Sequence, residues 1–384
     1  MTNQPAIDPG LLREAIGRSR RWVIKVGSSL TTEEGLGLNL PAIETWAEQM
    51  IELQDAGRDI VVVTSGSVAE GAARLGWSTR PHALNQLQAA AAIGQLGLVR
   101  AWDQGYEKFG RRAAQVLLTH EDLSDRQRYL NSKTTLITLL ELGVIPVVNE
   151  NDTVATEEIS LGDNDMLAGF VSNLIDADLL VVLTDQDGIM TADPRHHPDA
   201  SLIGDALVDA PELSSIVSGG GAWGRGGMRT KLQAAKLAAR SATPTIIASG
   251  SRANVLRDIA AGRAVGTLLY STREKINARK QWLAGSMRSR GTLKLDAGAC
   301  RALRSEGKSL LAVGVTEVQG QFSRGELVTL CDPDGRQLGR GLTNYSSDEC
   351  LKIAGEPSDR IEDVLDLMRE PELIHRDNLV VDTQ

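Results

Sequence analysis

The chain has 384 residues, 42% hydrophobic, 24% charged and only 3% aromatic, so it is long enough for two domains and its core must be aliphatic. A formal net charge of -9 and an isoelectric point near 5.2 argue against a dedicated nucleic-acid binder. Three widely spaced cysteines, Cys300, Cys331 and Cys350, exclude a disulfide framework and a paired-cysteine zinc site, and suit a reducing compartment. The polar stretch Met1–Gly10 has no apolar signal core, and no run approaches the roughly 20 apolar residues of a membrane span. A cytoplasmic protein without membrane attachment is the expectation.

In chain order, short β-branched runs alternate with amphipathic stretches. The runs are Trp22–Val26, Ile60–Thr64, Ala114–Leu118, Val144–Asn149, Leu179–Thr184 and Thr245–Ala248. Each is nearly all apolar, as strands buried on both faces of a parallel sheet should be. Helical patterns fall at Ala42–Ala56, Leu84–Tyr106 and Thr134–Leu142. The alternation predicts a doubly wound, mostly parallel α/β domain. After about Ala264 the character changes. Ser271–Arg290 is basic and reads as a linker; strand-and-turn patterns at Gly291–Leu295, Ser309–Val315, Glu326–Cys331 and Gln337–Thr343 predict a small β-barrel-like module. The last helical pattern lies around Ile361–Arg369.

The residues just beyond the strand ends carry the functional signal. Val26 leads into Gly27-Ser28-Ser29, Thr64 into Ser65-Gly66-Ser67, Val148 into Asn149-Glu150-Asn151-Asp152, and Leu183 into Thr184-Asp185-Gln186-Asp187-Gly188. Open parallel sheets bind ligands beyond the carboxyl ends of their strands, so four such loops make a candidate site. Leu161-Gly162-Asp163-Asn164-Asp165 adds a crowd of acceptors that needs cations: a metal, a lysine or a substrate amine. A solvated turn is the plain alternative for Asp163–Asp165. Neither this loop nor Asp185-Gln186-Asp187-Gly188 completes a calcium-binding pattern.

Two lysines are candidates for that partnership. Lys25 lies inside an apolar strand, where an unpaired cation is costly unless the strand is at an edge and the side chain reaches water. Lys231 lies in the first turn of the helical pattern that Gly226-Gly227-Met228-Arg229-Thr230 opens. A cation there works against the helix dipole, while free N–H groups favour an anion. The plain alternative is a flexible glycine loop with a solvated lysine. Gly307-Lys308-Ser309 lacks the upstream glycine of a Walker loop, and Gly219–Gly224 matches a dinucleotide fingerprint without the strand that should precede it. No histidine has metal-ligand spacing, and no covalent nucleophile stands out. Lysines, glycine loops and carboxylates suit direct phosphoryl transfer.

Together, Val23–Ser28, Val63–Ala69, Pro146–Asp152, Gly162–Asp165, Leu183–Gly188 with Thr191–Arg195, and Gly226–Lys231 resemble the amino acid kinase superfamily, most closely its glutamate kinases. Residues Gly291–Ile353, with Phe322–Glu326 and Gly339–Leu342, resemble a PUA domain. The resemblance implies a kinase domain over 20–270, after an extension over 1–19. It implies a linker over 271–290, a PUA-like domain over 291–372 and a tail over 373–384.

The implied activity is ATP-dependent phosphorylation of the γ-carboxylate of L-glutamate to L-glutamyl 5-phosphate, the first step of proline biosynthesis. Lys25, Lys231 and Asp163 would be catalytic, with Asp163 organising the lysines. ATP would meet Lys25, Gly27, Ser28, Thr184, Asp185, Arg225, Gly226, Gly227, Met228, Arg229, Thr230 and Lys231. Glutamate would meet Ser65, Gly66, Asp152 and Asn164, with Asp165 supporting that loop. Mg²⁺ would be held through ATP rather than by the protein. Proline as feedback inhibitor, glutamyl phosphate reductase as pathway partner, and a homodimer or homotetramer are further implications. Met190, Arg225 and Arg229 depart from the family pattern and bear on nucleotide affinity. Sister kinases acting on acetylglutamate, aspartate, carbamate or UMP are the neighbouring alternatives. An RNA-binding or regulatory protein on a kinase scaffold is the alternative of another class; the near-balanced charge of the β module argues against it.

Overall fold

The alternation of apolar runs and amphipathic stretches becomes, in a computed structural model, two compact units. They comprise Met1–Ser124 with Ser132–Lys275, and Asp125–Asn131 with Ile276–Gln384. The structure describes residues 8–33, 36–79, 81–154, 164–192, 197, 199–218, 227–272, 289–366 and 370–381. The expected linker lies largely outside these residues.

The chain opens with α1 (Pro9–Gly17), whose first turn is capped by Asp8 and primed by Pro9. Next come β1 (Arg21–Val26), the short α2 (Ser28–Thr31), the two-stranded β2 (Thr32–Glu33) and β3 (Leu36–Leu38), and α3 (Leu40–Asp55). Asn39 caps α3 by accepting from the Ala42 amide, and Ile43, Trp46, Ala47, Met50 and Ile51 form its buried stripe. The succession continues with β4 (Asp59–Thr64), α4 (Ser67–Arg74), the long α5 (Leu84–Glu107), β5 (Ala113–Leu118), α6 (His120–Ser124), α7 (Arg126–Glu141) and β6 (Ile145–Glu150). The unit closes with α8 (Asn164–Leu174), β7 (Leu179–Thr184), β8 (Asp205–Leu207), α9 (Pro211–Ser218), α10 (Met228–Ala238), β9 (Thr245–Ser249), α11 (Val255–Ala260) and β10 (Thr267–Tyr270).

Eight strands form one sheet in the order β5-β6-β4-β1-β7-β9-β10-β8. From β5 to β9 neighbouring strands are parallel; β10 runs antiparallel to β9 and parallel to β8. The carboxyl ends of β4, β1, β7 and β6 therefore share one edge of the sheet. Apart from Arg21 and Asp59 at their starts, the central strands β1, β4 and β7 are buried, as their composition demands. β5 departs from that expectation: it is mostly half-buried because it is the outermost strand. On one face, Trp22, Ile24, Val26, Ile60, Val62, Val181 and Leu183 pack into a cluster with α3 and α5 residues such as Trp46 and Trp102. Strand alternation puts Lys25 on the opposite face. No helix among the described residues is long and apolar enough to cross a membrane.

The second unit holds a five-stranded mixed sheet, with β11 (Gly291–Leu295), β12 (Val315–Gly320), β13 (Leu327–Cys331), β14 (Gln337–Leu342) and β15 (Leu379–Val381) in the order β12-β11-β13-β14-β15. Among the described residues three helices accompany it: α12 (Ala297–Glu306), α13 (Ser347–Ile353) and α14 (Ile361–Leu365). The strand expected at Ser309–Val315 is instead an isolated bridge at Leu310 and a short 3-10 turn over Ala312–Gly314; the strand begins at Val315. The core is aliphatic, built on Leu293, Leu295, Leu303, Val328, Leu330 and Ile353 around Tyr345.

Candidate active site

Lys25 sits on β1, between Val63 of β4 and Val182 of β7. It is on a central strand and only 4% exposed, so the route to water open to an edge-strand lysine is closed. A buried ammonium there needs a counter-charge. Asp165 supplies it from the first turn of α8: its Oδ1 pairs with Lys25 Nζ and its Oδ2 lies 3.0 Å from Lys231 Nζ. Lys231 is itself buried near the start of α10. Thr230 donates its hydroxyl to Asp165 Oδ2 at 2.9 Å. Burial alone would raise the pKa of Asp165, but the two lysines overcome it and hold the carboxyl well below the ordinary range. Among the described residues, one carboxylate thus fixes the two ammoniums of β1 and α10.

Helix packing explains why Asp165 holds this place. Gly169, four residues on and so on the same face of α8, lies against α10, where a Cβ would come within 2.8 Å of the Ala234 carbonyl. Ala234 is three residues beyond Lys231. The close approach at Gly169 and Ala234 therefore brings Asp165 to Lys231 one turn earlier on both helices. Sequence reasoning gives the organising role to Asp163 and a loop-supporting role to Asp165. Among the described residues the carboxylate between the lysines is Asp165, and Asp163 lies outside them. The helix begins at Asn164, and its periodicity, which a loop reading ignores, selects the residue that faces α10.

A neutral half of the site stands beside this charged one. Gly66, at φ +117°, makes the left-handed turn from β4 into α4 and presents Ser65. Thr31 fixes the turn by donating to the Ser65 carbonyl at 2.9 Å. Asn164 donates through Nδ2 to Ser65 Oγ at 2.7 Å and to Asn149 Oδ1 at 3.0 Å. Asn149, at the end of β6, donates in turn to Gln95 Oε1 of α5 at 2.7 Å. Asn164 Oδ1 is buried with no hydrogen-bond partner among the described residues. Ser67 donates to Asp152 Oδ2 at 3.0 Å, tying the loop after β6 to the start of α4. Ser65, Asp152 and Asn164, expected together, thus gather at the ends of β4 and β6.

The residues expected around ATP occupy neighbouring strand and helix ends. Gly27 donates its N–H to the Leu183 carbonyl at 3.3 Å, joining the ends of β1 and β7, and Ser28 is exposed beyond it. Thr184 is buried and donates to Asp185 Oδ1 at 3.0 Å, while Asp185 itself is exposed. Gly227 precedes α10 and provides no side-chain cap, which leaves first-turn N–H groups for an anion. Met228 is buried, Arg229 is exposed, and Met190 bridges to Leu202. Arg225 and Gly226 lie outside the described residues. Among the described residues there is no cluster of three or more His, Cys, Asp or Glu placed to hold a metal ion.

Asn149 and Ser67, which sequence reasoning quoted in the strand-end loops without a role, and Gln95, which it did not single out, join this hydrogen-bonded cluster. Gln95 had a signal: Ala91, Gln95, Leu98 and Trp102 follow helical spacing along the buried face of α5, and an amide on that face needs a partner.

The amino acid kinase family model matches residues 20–249, and a PUA domain model matches 291–365. The glutamate 5-kinase of Ectopseudomonas mendocina is 56% identical over 371 residues, 96% of this chain and 100% of its own length. Those of Pseudomonas fluorescens and Thioalkalivibrio sulfidiphilus are each 57% identical over 96% of this chain, covering 100% and 99% of their own lengths. The chain belongs to the amino acid kinase family and, at this identity along nearly all of it, to the glutamate 5-kinases.

Proposed function

We propose that the protein transfers the γ-phosphoryl group of ATP to the γ-carboxylate of L-glutamate, with the Lys25–Asp165–Lys231 site as its catalytic centre. A γ-carboxylate oxygen attacks the γ-phosphorus, the bond to the β,γ-bridging oxygen breaks, and ADP and L-glutamyl 5-phosphate are the products. The attacking carboxylate is ionised at neutral pH, so no general base is needed. Repulsion between carboxylate and phosphates is the obstacle. The observation that carries the reading is the buried Lys25–Asp165–Lys231 arrangement, in which one carboxylate holds two ammoniums, from β1 and α10, close to the carboxyl end of the central strands. Preorganised donors of this kind are typically worth about 3–4 kcal/mol each in the transition state.

Asn164 Oδ1 would accept from the α-ammonium of glutamate, and Ser65, already accepting from Asn164, would donate its proton to the substrate's carboxylate. The uncapped start of α10, with Thr184 and Asp185, would receive the nucleotide. Magnesium, held by the phosphates and water, would neutralise charge on the nucleotide. On the family likeness alone, the reading extends to inhibition by proline, a homo-oligomer, and delivery of the acyl phosphate to a glutamyl phosphate reductase.

The test is ADP release with L-glutamate, N-acetylglutamate, aspartate, carbamate and UMP, with hydroxylamine trapping of the acyl phosphate. Glutamate-dependent turnover with hydroxamate formation is expected. Lys231→Ala should lower kcat by about 10²–10³. Turnover with another acceptor only, or near-parental turnover of the Lys231 variant, would sink the assignment.

A further inference from the structure

The amide chain behind the substrate site has a direction, and its far end lies on α5. Gln95 Oε1 accepts from Asn149 Nδ2, Asn149 Oδ1 accepts from Asn164 Nδ2, and the second Nδ2 proton of Asn164 goes to Ser65 Oγ. All three amides are nearly or fully buried, so water does not interrupt the chain. Hydrogen bonding along it is self-consistent in this sense, with every link pairing one donor and one acceptor. The outcome is that Asn164 has spent both its protons and presents a bare Oδ1. Rotating all three amides by half a turn would also be self-consistent, but Asn164 would then present an NH₂ group to the substrate. The direction of the chain thus decides whether the site accepts from an ammonium or repels it.

We infer that Gln95 is a positioning residue which, through Asn149, sets the amide orientation of Asn164 and thereby the preference for a substrate bearing an α-ammonium group. Gln95 borders a cleft of about 280 Å³ whose wall includes Gln115, Glu150, Asn151 and Asp152. Its Nε2 is buried and has no hydrogen-bond partner among the described residues. The acidic side of that cleft favours the NH₂ end of the Gln95 amide, which turns Oε1 inward to Asn149. A residue that only accepts at this position keeps the direction; one without a polar head releases it. This inference rests on the proposed glutamate reading of the site.

The experiment compares Gln95→Met, which keeps the volume but removes the acceptor, with Gln95→Glu, which keeps an acceptor oxygen. Steady-state kinetics are measured with glutamate, with glutarate, which has the same carboxylates but no ammonium, and with ATP. In Gln95→Met the KM for glutamate should rise about tenfold and the preference for glutamate over glutarate should fall by a similar factor, as losing one hydrogen bond to a charged group implies. The KM for ATP and kcat should stay within about twofold, because the lysine end is untouched. Gln95→Glu should retain the parental preference. Unchanged preference in Gln95→Met, or equal loss of preference in both variants, overturns the inference. Failure of the parent protein to phosphorylate glutamate would instead overturn the reading on which it rests, so the two failures are distinguishable.

Discussion

The charged and neutral halves of the site solve opposite problems with the same kind of backbone support. At the ends of β1 and α10, two buried ammoniums share one buried carboxylate, so each charge is paired before any substrate arrives. At the ends of β4 and β6, the groups are neutral amides and hydroxyls, and one acceptor, Asn164 Oδ1, is left over. The first arrangement suits an event in which charge moves, because its field is in place before the reaction. The second suits recognition, because an unpaired buried acceptor is costly until a donor fills it. Asp165 and Asn164 are adjacent on α8, so a single helix terminus serves both halves.

The comparison is most directly broken at Asp165. Asp165→Asn leaves Lys25 and Lys231 facing each other without their shared counter-charge. Turnover should fall about 10³-fold, and urea unfolding should show a loss of about 3–5 kcal/mol, the cost typical of stranding buried charge. A variant that keeps parental turnover would show that the two lysines need no organiser.

Gly169→Ala tests the same half through packing. The added methyl must displace the Ala234 backbone, so α8 and α10 move apart, at about 1–3 kcal/mol in stability. In kinetics the expectation is about a tenfold drop in kcat with little change in the KM for glutamate. A rise confined to the glutamate KM would mean that the helix contact serves the neutral half instead.

Asn164→Ala attacks recognition directly. The KM for glutamate should rise at least about tenfold while the KM for ATP holds, as expected for one lost contact to a charged group. Parallel rises in both constants would dissolve the distinction between the halves.

The smallest effect is in pH. The native pKa of Asp165 is depressed, so its contribution to stability is complete above the unfolded value of about 3.9 and is lost as pH falls through the lower native one. The stability difference between the parent and Asp165→Asn should therefore be flat from about pH 8 to pH 5 and shrink only below about pH 4. A decline already present near pH 6 would indicate that the carboxylate is not held by both lysines.

Much of the first unit was legible because buried parallel strands write themselves as apolar runs. All six expected strands appear with ends within one residue of those read from the sequence. The position of Ala113–Leu118 at the sheet edge was not legible, since strand order is a long-range property. In the second unit, α12 and α13 escaped notice because they are short, 10 and 7 residues, and α12 buries only Cys300 and Leu303. Lys25 and Lys231 were visible as charges in places that punish charge. That Asp165 meets both lysines could be read only by knowing where α8 starts and which of its faces meets α10. Gln95 was hidden for a different reason. A buried amide on an otherwise apolar helix face declares a need for a partner but not which partner.

The position of Lys25 also has a kinetic meaning. Its backbone belongs to a strand with parallel neighbours on both sides, in the interior of an eight-stranded sheet. Segments of that kind exchange their amide protons with solvent only when the whole cooperative unit opens. Hydrogen-exchange mass spectrometry of a peptide spanning 21–26 should therefore report global opening of the first unit, while Lys231, carried on a helix near its terminus, sits where opening can be local. The two ammoniums that Asp165 holds therefore stand on backbones with different costs of opening.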